Sequence, residues 1–320
     1  HVHLLGQQGP TNRIDAVTMT RSAQALEGAY YARVTLEAGF TTVANLGANS
    51  EAIFALRDAV ARGRVPGPRI IASGAGISVH GGHGDSHGYR PEVLEILRSE
   101  AVCSGADDCR RAVREQIRLG ADVIKITATG GVLSNTAAGL GQQFSNAELE
   151  AIVEAAHSMG RRVTAHAHGA DGITAFLRAG GDSIEHGTYL DDEGIRLMRQ
   201  NRAWLIPTLL AGDFVARIAS GPNNFLSPAQ TAKALEAGPL MLDMCRRAHR
   251  AGVQIAFGTD SGVSAHGDNA QEFALLVQCG MTPLEAIQAA TVRAADHLQV
   301  ADEVGALRPG MAGDLIAVSG

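Results

Sequence analysis

The sequence has few aromatic residues, 4% of the chain, and only four cysteines. The first scarcity leaves the interior to aliphatic side chains. The second means that Cys103, Cys109, Cys245 and Cys279, which lack metal-type spacing, neither hold together a chain of 320 residues nor form a thiolate metal site. Cys103 and Cys109 are close enough for a local bridge, but free thiols are the expectation. Basic residues are not in excess: 27 Lys and Arg stand against 33 Asp and Glu, a net charge of -6, so there is no electrostatic footprint for nucleic acid. No apolar run reaches the roughly 18 residues that span a bilayer, and no signal peptide is visible. The chain opens on His1-Val2-His3 with no strand before it, so an upstream segment is expected. The compartment stays open between the cytoplasm and, if that segment carries a signal, the periplasm or exterior.

What is abundant is apolar aliphatic residue and glycine, 45% hydrophobic with 38 glycines. Such a composition suits Val/Ile/Ala strands alternating with Ala-rich helices. Helices are expected over about 20–38, 50–62, 107–119, 145–159, 171–179, 229–251, 269–279 and 283–297, with Ser145 and Glu148 forming a capping box. Between them lie short buried strands ending near Leu46, Gly74, Thr127, His168, His186, Thr208 and Asp260, and a last strand over Asp314 to Val318. Residues 211–228 have no clear period and read as a mobile loop. Seven strands followed by helices, with an eighth required just before His1, predict a (β/α)8 barrel; without a GxGxxG after a strand, a doubly wound open sheet is the weaker alternative. The expected division is a barrel over 1–304 and a C-terminal return, 305–320, into a small β-sandwich formed by the termini.

Lys125 lies in the strand-type run Ala121 to Ala128, where a cation is out of place. Either its stem packs on the strand while the ammonium snorkels to the rim, or the amine is carboxylated by CO2 and bridges two metal ions. His1 and His3, two residues apart on an extended segment, point to one side and can reach one ion. His166, His186 and Asp260 also fall at the ends of buried strands, and in a barrel all these ends converge on one mouth. That convergence favours a metal site over unrelated core residues. The Gly- and His-rich loop 78–88, with His80, His83 and His87, reads either as a solvated loop or as a substrate loop at the same mouth.

These phrases carry a resemblance. Gly-Phe-Thr-Thr-Val at 39–43, Gly-Gly-His-Gly-Asp at 81–85, Ile-Lys-Ile followed by Thr-Gly-Gly-Val, Ala-His-Ala-His-Gly, Ser-Ile-Glu-His-Gly and Phe-Gly-Thr-Asp-Ser-Gly resemble the binuclear metal-dependent amidohydrolase superfamily, in its Xaa-Pro dipeptidase, metal carboxypeptidase and ochratoxinase branch. The resemblance covers nearly the whole chain. It implies two divalent ions, Zn2+ by preference, with His1, His3 and Asp260 on the first, His166 and His186 on the second, and carboxylated Lys125 between them. His166 is chosen over His168 because relatives with a single histidine carry it at that place. It further implies Asp260 as general base and acid, His83 and Tyr189 as substrate or oxyanion contacts, and a homo-oligomer, with an octamer as one form.

The expected activity is hydrolysis of an amide to a C-terminal amino acid, from an N-acyl amino acid or a dipeptide. Alternatives are Xaa-Pro or Xaa-Arg dipeptide cleavage, cyclic-amide hydrolysis as in imidazolonepropionase, and a non-catalytic metal-binding scaffold. The leaving carboxylate would be met by His83 and its neighbours His80 and His87, by Tyr189 or by Arg217, and Phe214, Phe225 and aliphatic side chains would line the pocket. With no acidic cluster in the mouth loops, an apolar leaving residue of the kind in ochratoxin A, an N-acyl-phenylalanine, is favoured over Arg or Lys.

Overall fold

The computed structural model describes residues 1–99, 101–135 and 139–317. Among the described residues nine short strands run in chain order: β1 (Thr42–Asn45), β2 (Arg69–Ala72), β3 (Ser78–Val79), β4 (Val102–Cys103), β5 (Ile124–Thr127), β6 (Val163–Ala167), β7 (Ser183–His186), β8 (Trp204–Ile206) and β9 (Gln254–Ile255). All pairings are parallel: β1 with β2, β3 with β4, and β5 to β9 in sequence order. Parallel neighbours need a crossover, and the intervening helices supply it.

Single bridges join these sheets. Val2 pairs in parallel with both Asn45 and Ser261, Ile77 pairs with Ile126, and the Asp122 N–H donates to Ala72 O at 2.9 Å. The connected stations are Val2, β1, β2, β5, β6, β7, β8 and β9, eight in all, as a (β/α)8 barrel requires. Val2, within the His1–His3 pair, supplies the first station of the ring. Strand side chains alternate: Lys125, Thr164 and Glu185 face the barrel interior, while Ile124, Ile126, Val163, Ala165 and Ile184, all fully buried, face the helices, of which Asn146–Ser158 contributes Leu149, Ile152 and Val153. The Ser145–Glu148 capping box is present.

Several expectations are corrected. Cys103 and Cys109 form a disulfide, not free thiols, because the turn through Ser104 and Gly105 brings their Cα atoms to 5.1 Å, within bridging range. Most of the expected loop 211–228 is the helix Leu209–Ser220. The single helix expected over 229–251 is broken by Gly238-Pro239 into Pro228–Ala237 and Met241–Arg250, joined by a 3-10 turn. The one over 283–297 divides at Thr291, whose φ of -121° and ψ of -98° leave the helical region. Residues 314–317 form no strand, and Leu315 and Ile316 are 70% and 58% exposed; Val318 lies outside the described residues.

Candidate metal centre

All four residues of β5 are buried, and Lys125 is 5% exposed with no hydrogen-bond partner for its Nζ. It does not reach the rim, which removes the snorkelling alternative. Burial pushes the ammonium's pKa down against the opposing charges of Glu185 and Asp260. The shift is toward the neutral amine, the form that reacts with CO2.

Around it stand two clusters. His1, His3 and Asp260 offer donor atoms within 4.8 Å of one another, and so do His166, His168 and His186. Two backbone departures build them. His186 closes β7 with a φ of +73°, so it joins the cluster although the residue before it, Glu185, also points into the barrel. Asp260 has a φ of +56°, a region costly for a residue with a side chain and one that clusters at functional sites.

Hydrogen bonds fix the first cluster's tautomers. His3 Nδ1 donates to Gly47 O at 2.9 Å, and His1 Nδ1 donates to the Glu185 carboxylate at 2.8 Å, whose other oxygen accepts from the Thr164 hydroxyl at 2.7 Å. In neutral rings both Nε2 atoms are then bare acceptors. They lie 3.3 Å apart, and Asp260 Oδ1 lies 3.2 Å from the first and 2.9 Å from the second with no hydrogen-bond donor of its own. Three acceptors facing one another repel unless a cation lies among them. Ligands about 2.0–2.1 Å from a tetrahedral Zn2+ are about 3.3 Å from each other, so the donor set fits such an ion.

The second cluster is held by hydroxyls. His186 Nδ1 is 2.7 Å from Thr208 Oγ1, and His168 Nδ1 is 2.8 Å from Thr188 Oγ1. His166 Nε2 donates to Gly130 O at 3.3 Å, and its ring stacks on His83 at 4.2 Å. Burial lowers the pKa of His83 and His186 to about 3 and of His168 to about 4, and takes His166 well below the usual value, so these rings are neutral and able to bind metal.

The clusters line one cavity of about 940 Å³. His83 enters it from the 78–88 loop, its Nδ1 2.6 Å from Ser134 Oγ. Gly131 makes the space: a Cβ there would fall 2.2 Å from the His83 ring. Val132, Leu133, Val215, Met241 and Val263 form an aliphatic wall. Of the expected residues, His1, His3, His83, Lys125, His166, His186 and Asp260 come together there. Tyr189 does not line the cavity; its hydroxyl donates to Glu236. Arg217 pairs with Asp213 one turn back on its own helix, at 2.8 Å, and also stands away from it. Phe214 and Phe225 are not among the lining residues either, since Phe214 packs behind the wall against the cluster of Val132 and Val215. Asp15 and Glu27, on the first two helices, do line the cavity, so acidic groups are nearer than the mouth loops suggested.

Comparison with known proteins bears on this centre. The Amidohydrolase family profile matches residues 1–320. The chain belongs to the amidohydrolase family. Like other amidohydrolases, it has relatives of known structure: a Xaa-Pro dipeptidase with methionine bound in its active site superposes with a TM-score of 0.90 at 39% identity, over 98% of this chain and 77% of that one. The crystal structure of Aspergillus niger ochratoxinase gives 0.86 at 33% identity, over 97% and 73%. In sequence the Aspergillus niger ochratoxinase is 36% identical over 342 aligned positions, covering 99% of this chain and 68% of the relative.

The residues missed in the sequence are the supporting ones: Glu185, Thr164, Thr188 and Thr208. For Glu185 there was a signal, a carboxylate inside a buried strand one residue before a candidate ligand. The threonines gave none, because Thr is ordinary in strands.

Proposed function

We propose that this amidohydrolase is a binuclear metal-dependent hydrolase that cleaves an amide to release a C-terminal amino acid. The observation that carries the reading is the convergence of His1 Nε2, His3 Nε2 and Asp260 Oδ1, acceptors without a donor between them, beside the unpartnered amine of Lys125. His1, His3 and Asp260 would hold one ion, His166 and His186 the other, and carboxylated Lys125 both. Two divalent ions, Zn2+ by preference, would supply an activated water at neutral pH and polarise the scissile carbonyl. Asp260 takes the water's proton and passes it to the leaving amine. His83 faces the developing oxyanion. The Ser134 hydroxyl can donate to His83 Nδ1 or to Gly131 O, at 2.6 and 3.0 Å; the first choice leaves a proton on His83 Nε2 for the substrate.

The aliphatic wall suits an apolar leaving residue, so N-acyl-phenylalanine amides of the ochratoxin A type are the favoured substrates. The similarity to ochratoxinase supports the same class. Arg98, exposed and lining the cavity, is the cation that would meet the product carboxylate in place of Arg217. A second reading, cleavage of dipeptides, is favoured by the likeness to a Xaa-Pro dipeptidase, and Asp15 and Glu27 admit a cationic residue at the cavity. Metal content of the purified protein, with kcat/KM on N-aroyl-Phe, Xaa-Phe, Xaa-Pro, Xaa-Arg and lactam substrates, tests the proposal. Two metals per chain and fastest turnover of aroyl-Phe are expected; faster turnover of Xaa-Arg than of matched Xaa-Phe would overturn the substrate assignment.

A further inference from the structure

Two cysteines meet in the wall behind the cavity. Cys245 lies on the helix Met241–Arg250 and Cys279 caps the end of the helix Gln271–Gln278; both are 0% exposed, and their Sγ atoms are 2.6 Å apart. Two thiols in simple contact stand wider than this, and a small further approach reaches the covalent length of about 2.05 Å. A thiolate metal site is the other use of paired cysteines, and the surroundings do not provide one. Among the described residues, the groups able to hold an ion are the two clusters of the centre above. His249, one turn beyond Cys245, faces Glu285 at 3.5 Å instead.

We propose that Cys245 and Cys279 are joined by a disulfide in the mature protein, a second covalent link besides Cys103–Cys109. The inference is independent of the proposed reaction. The two thiols give up two protons and two electrons to a disulfide oxidant, either oxidised glutathione or a thiol–disulfide exchange protein, which leaves as two thiols after a mixed-disulfide intermediate. Since neither sulfur meets solvent in the folded chain, exchange takes place during folding, before the two helices close. The Cys103–Cys109 bond points the same way, because disulfides form where the surroundings are oxidising. The finished link is a staple and not a redox sensor, which needs an accessible thiolate.

Its position gives it a role. The helix that ends at Cys279 carries, near its start, buried Glu272, whose carboxylate accepts from Leu209 N and Leu210 N at 3.0 and 2.7 Å. The helix of Cys245 begins with Met241, a lining residue of the cavity. The staple therefore ties together two supports of the helix Leu209–Ser220, which forms part of the cavity wall.

The test is a disulfide map. Protein exported to an oxidising compartment, or refolded in reduced and oxidised glutathione, is denatured in iodoacetamide without reductant, digested and analysed by mass spectrometry. A peptide pair linked through Cys245 and Cys279, with neither alkylated, is expected. Alkylation of both in molecules whose Cys103–Cys109 bond has formed overturns the proposal. A second measurement uses Tm: Cys245→Ala is expected to melt on the order of 5 °C below the unreduced wild type and to respond less to reductant. Reductant is applied in denaturant before refolding, because the folded chain shields both sulfurs; equal response of the two proteins then also overturns it.

Discussion

The two halves of the candidate centre are held differently. In one, the ring nitrogens of His1 and His3 that face away from the cluster donate to a carboxylate and to a carbonyl, groups that accept only, so the inward nitrogens are fixed as acceptors. In the other, His168 and His186 lean on threonine hydroxyls, which donate or accept by a bond rotation. In the first half three acceptors face one another, a repulsion that a cation would relieve. In the second, His168 and His186 can relax by turning their hydroxyls, and only His166, whose Nε2 donates to Gly130 O at 3.3 Å, is fixed as the first half is. In the proposed reading, metal removal should therefore empty the second half at lower chelator concentration than the first, and carboxylated Lys125 would serve both.

The largest effect is expected at Lys125. Lys125→Ala should lose most metal and activity in both halves, with partial recovery from short-chain carboxylic acids plus added metal. Lys125→Arg, which keeps the charge but cannot be carboxylated, should be as defective; full activity in it would defeat the bridging role. Next comes Asp260→Asn, which keeps an oxygen toward the metal and removes the proton acceptor. Turnover should fall by roughly 10²-fold or more, with little change in metal content. Equal loss of both would make Asp260 a ligand alone.

The same division separates what could be read in the sequence from what could not. Strand ends were legible because each carries a polar residue after a buried run: Lys125, His166, His186 and Asp260 all announced themselves by being polar where burial is costly. The Asn146–Ser158 helix was legible because its capping box is local, Ser145 with Glu148. The helix Leu209–Ser220 was not. Its N-cap Thr208 has a φ of +47° and makes no side-chain cap, and the first amides are instead capped by Glu272, 63 residues on for Leu209. A start signal supplied from another helix leaves no trace in the segment itself. Gly212 also reads as a loop residue, yet it is there because a Cβ would fall 2.3 Å from the Met241 sulfur. Arg217 was misplaced for the same reason: once its segment is helical, Asp213 is its neighbour at i,i+4.

Glu185→Gln tests the first half. The amide keeps an oxygen toward one neighbour but removes the charge that holds the His1 Nδ1 proton, and carboxylates in this supporting position are typically worth about 10- to 100-fold in metal affinity. The loss should be confined to one of the two metals, read as one equivalent released at a lower chelator concentration than in the wild type. Release of both metals at lower chelator concentration than in the wild type would mean that Glu185 acts on the bridge or on the fold and not through His1.

The smallest effect is expected at Thr208, the counterpart of Glu185 in the other half. Thr208→Ala removes the hydroxyl 2.7 Å from His186 Nδ1 and leaves a neutral ring that finds water or rotates, so no buried charge loses its partner. Because an uncharged partner is replaced more easily than a charged one, the expected loss in affinity is at or below about tenfold, the low end for groups that orient a metal-binding histidine. Thr208 also starts the helix Leu209–Ser220 in a left-handed conformation, so Thr208→Ser separates the two roles: it keeps the hydroxyl and should restore metal affinity whatever it does to Tm. If Thr208→Ala costs as much affinity as Glu185→Gln, the two halves are equally fixed and the contrast between a charged and a hydroxyl support does not govern how this centre holds its ions.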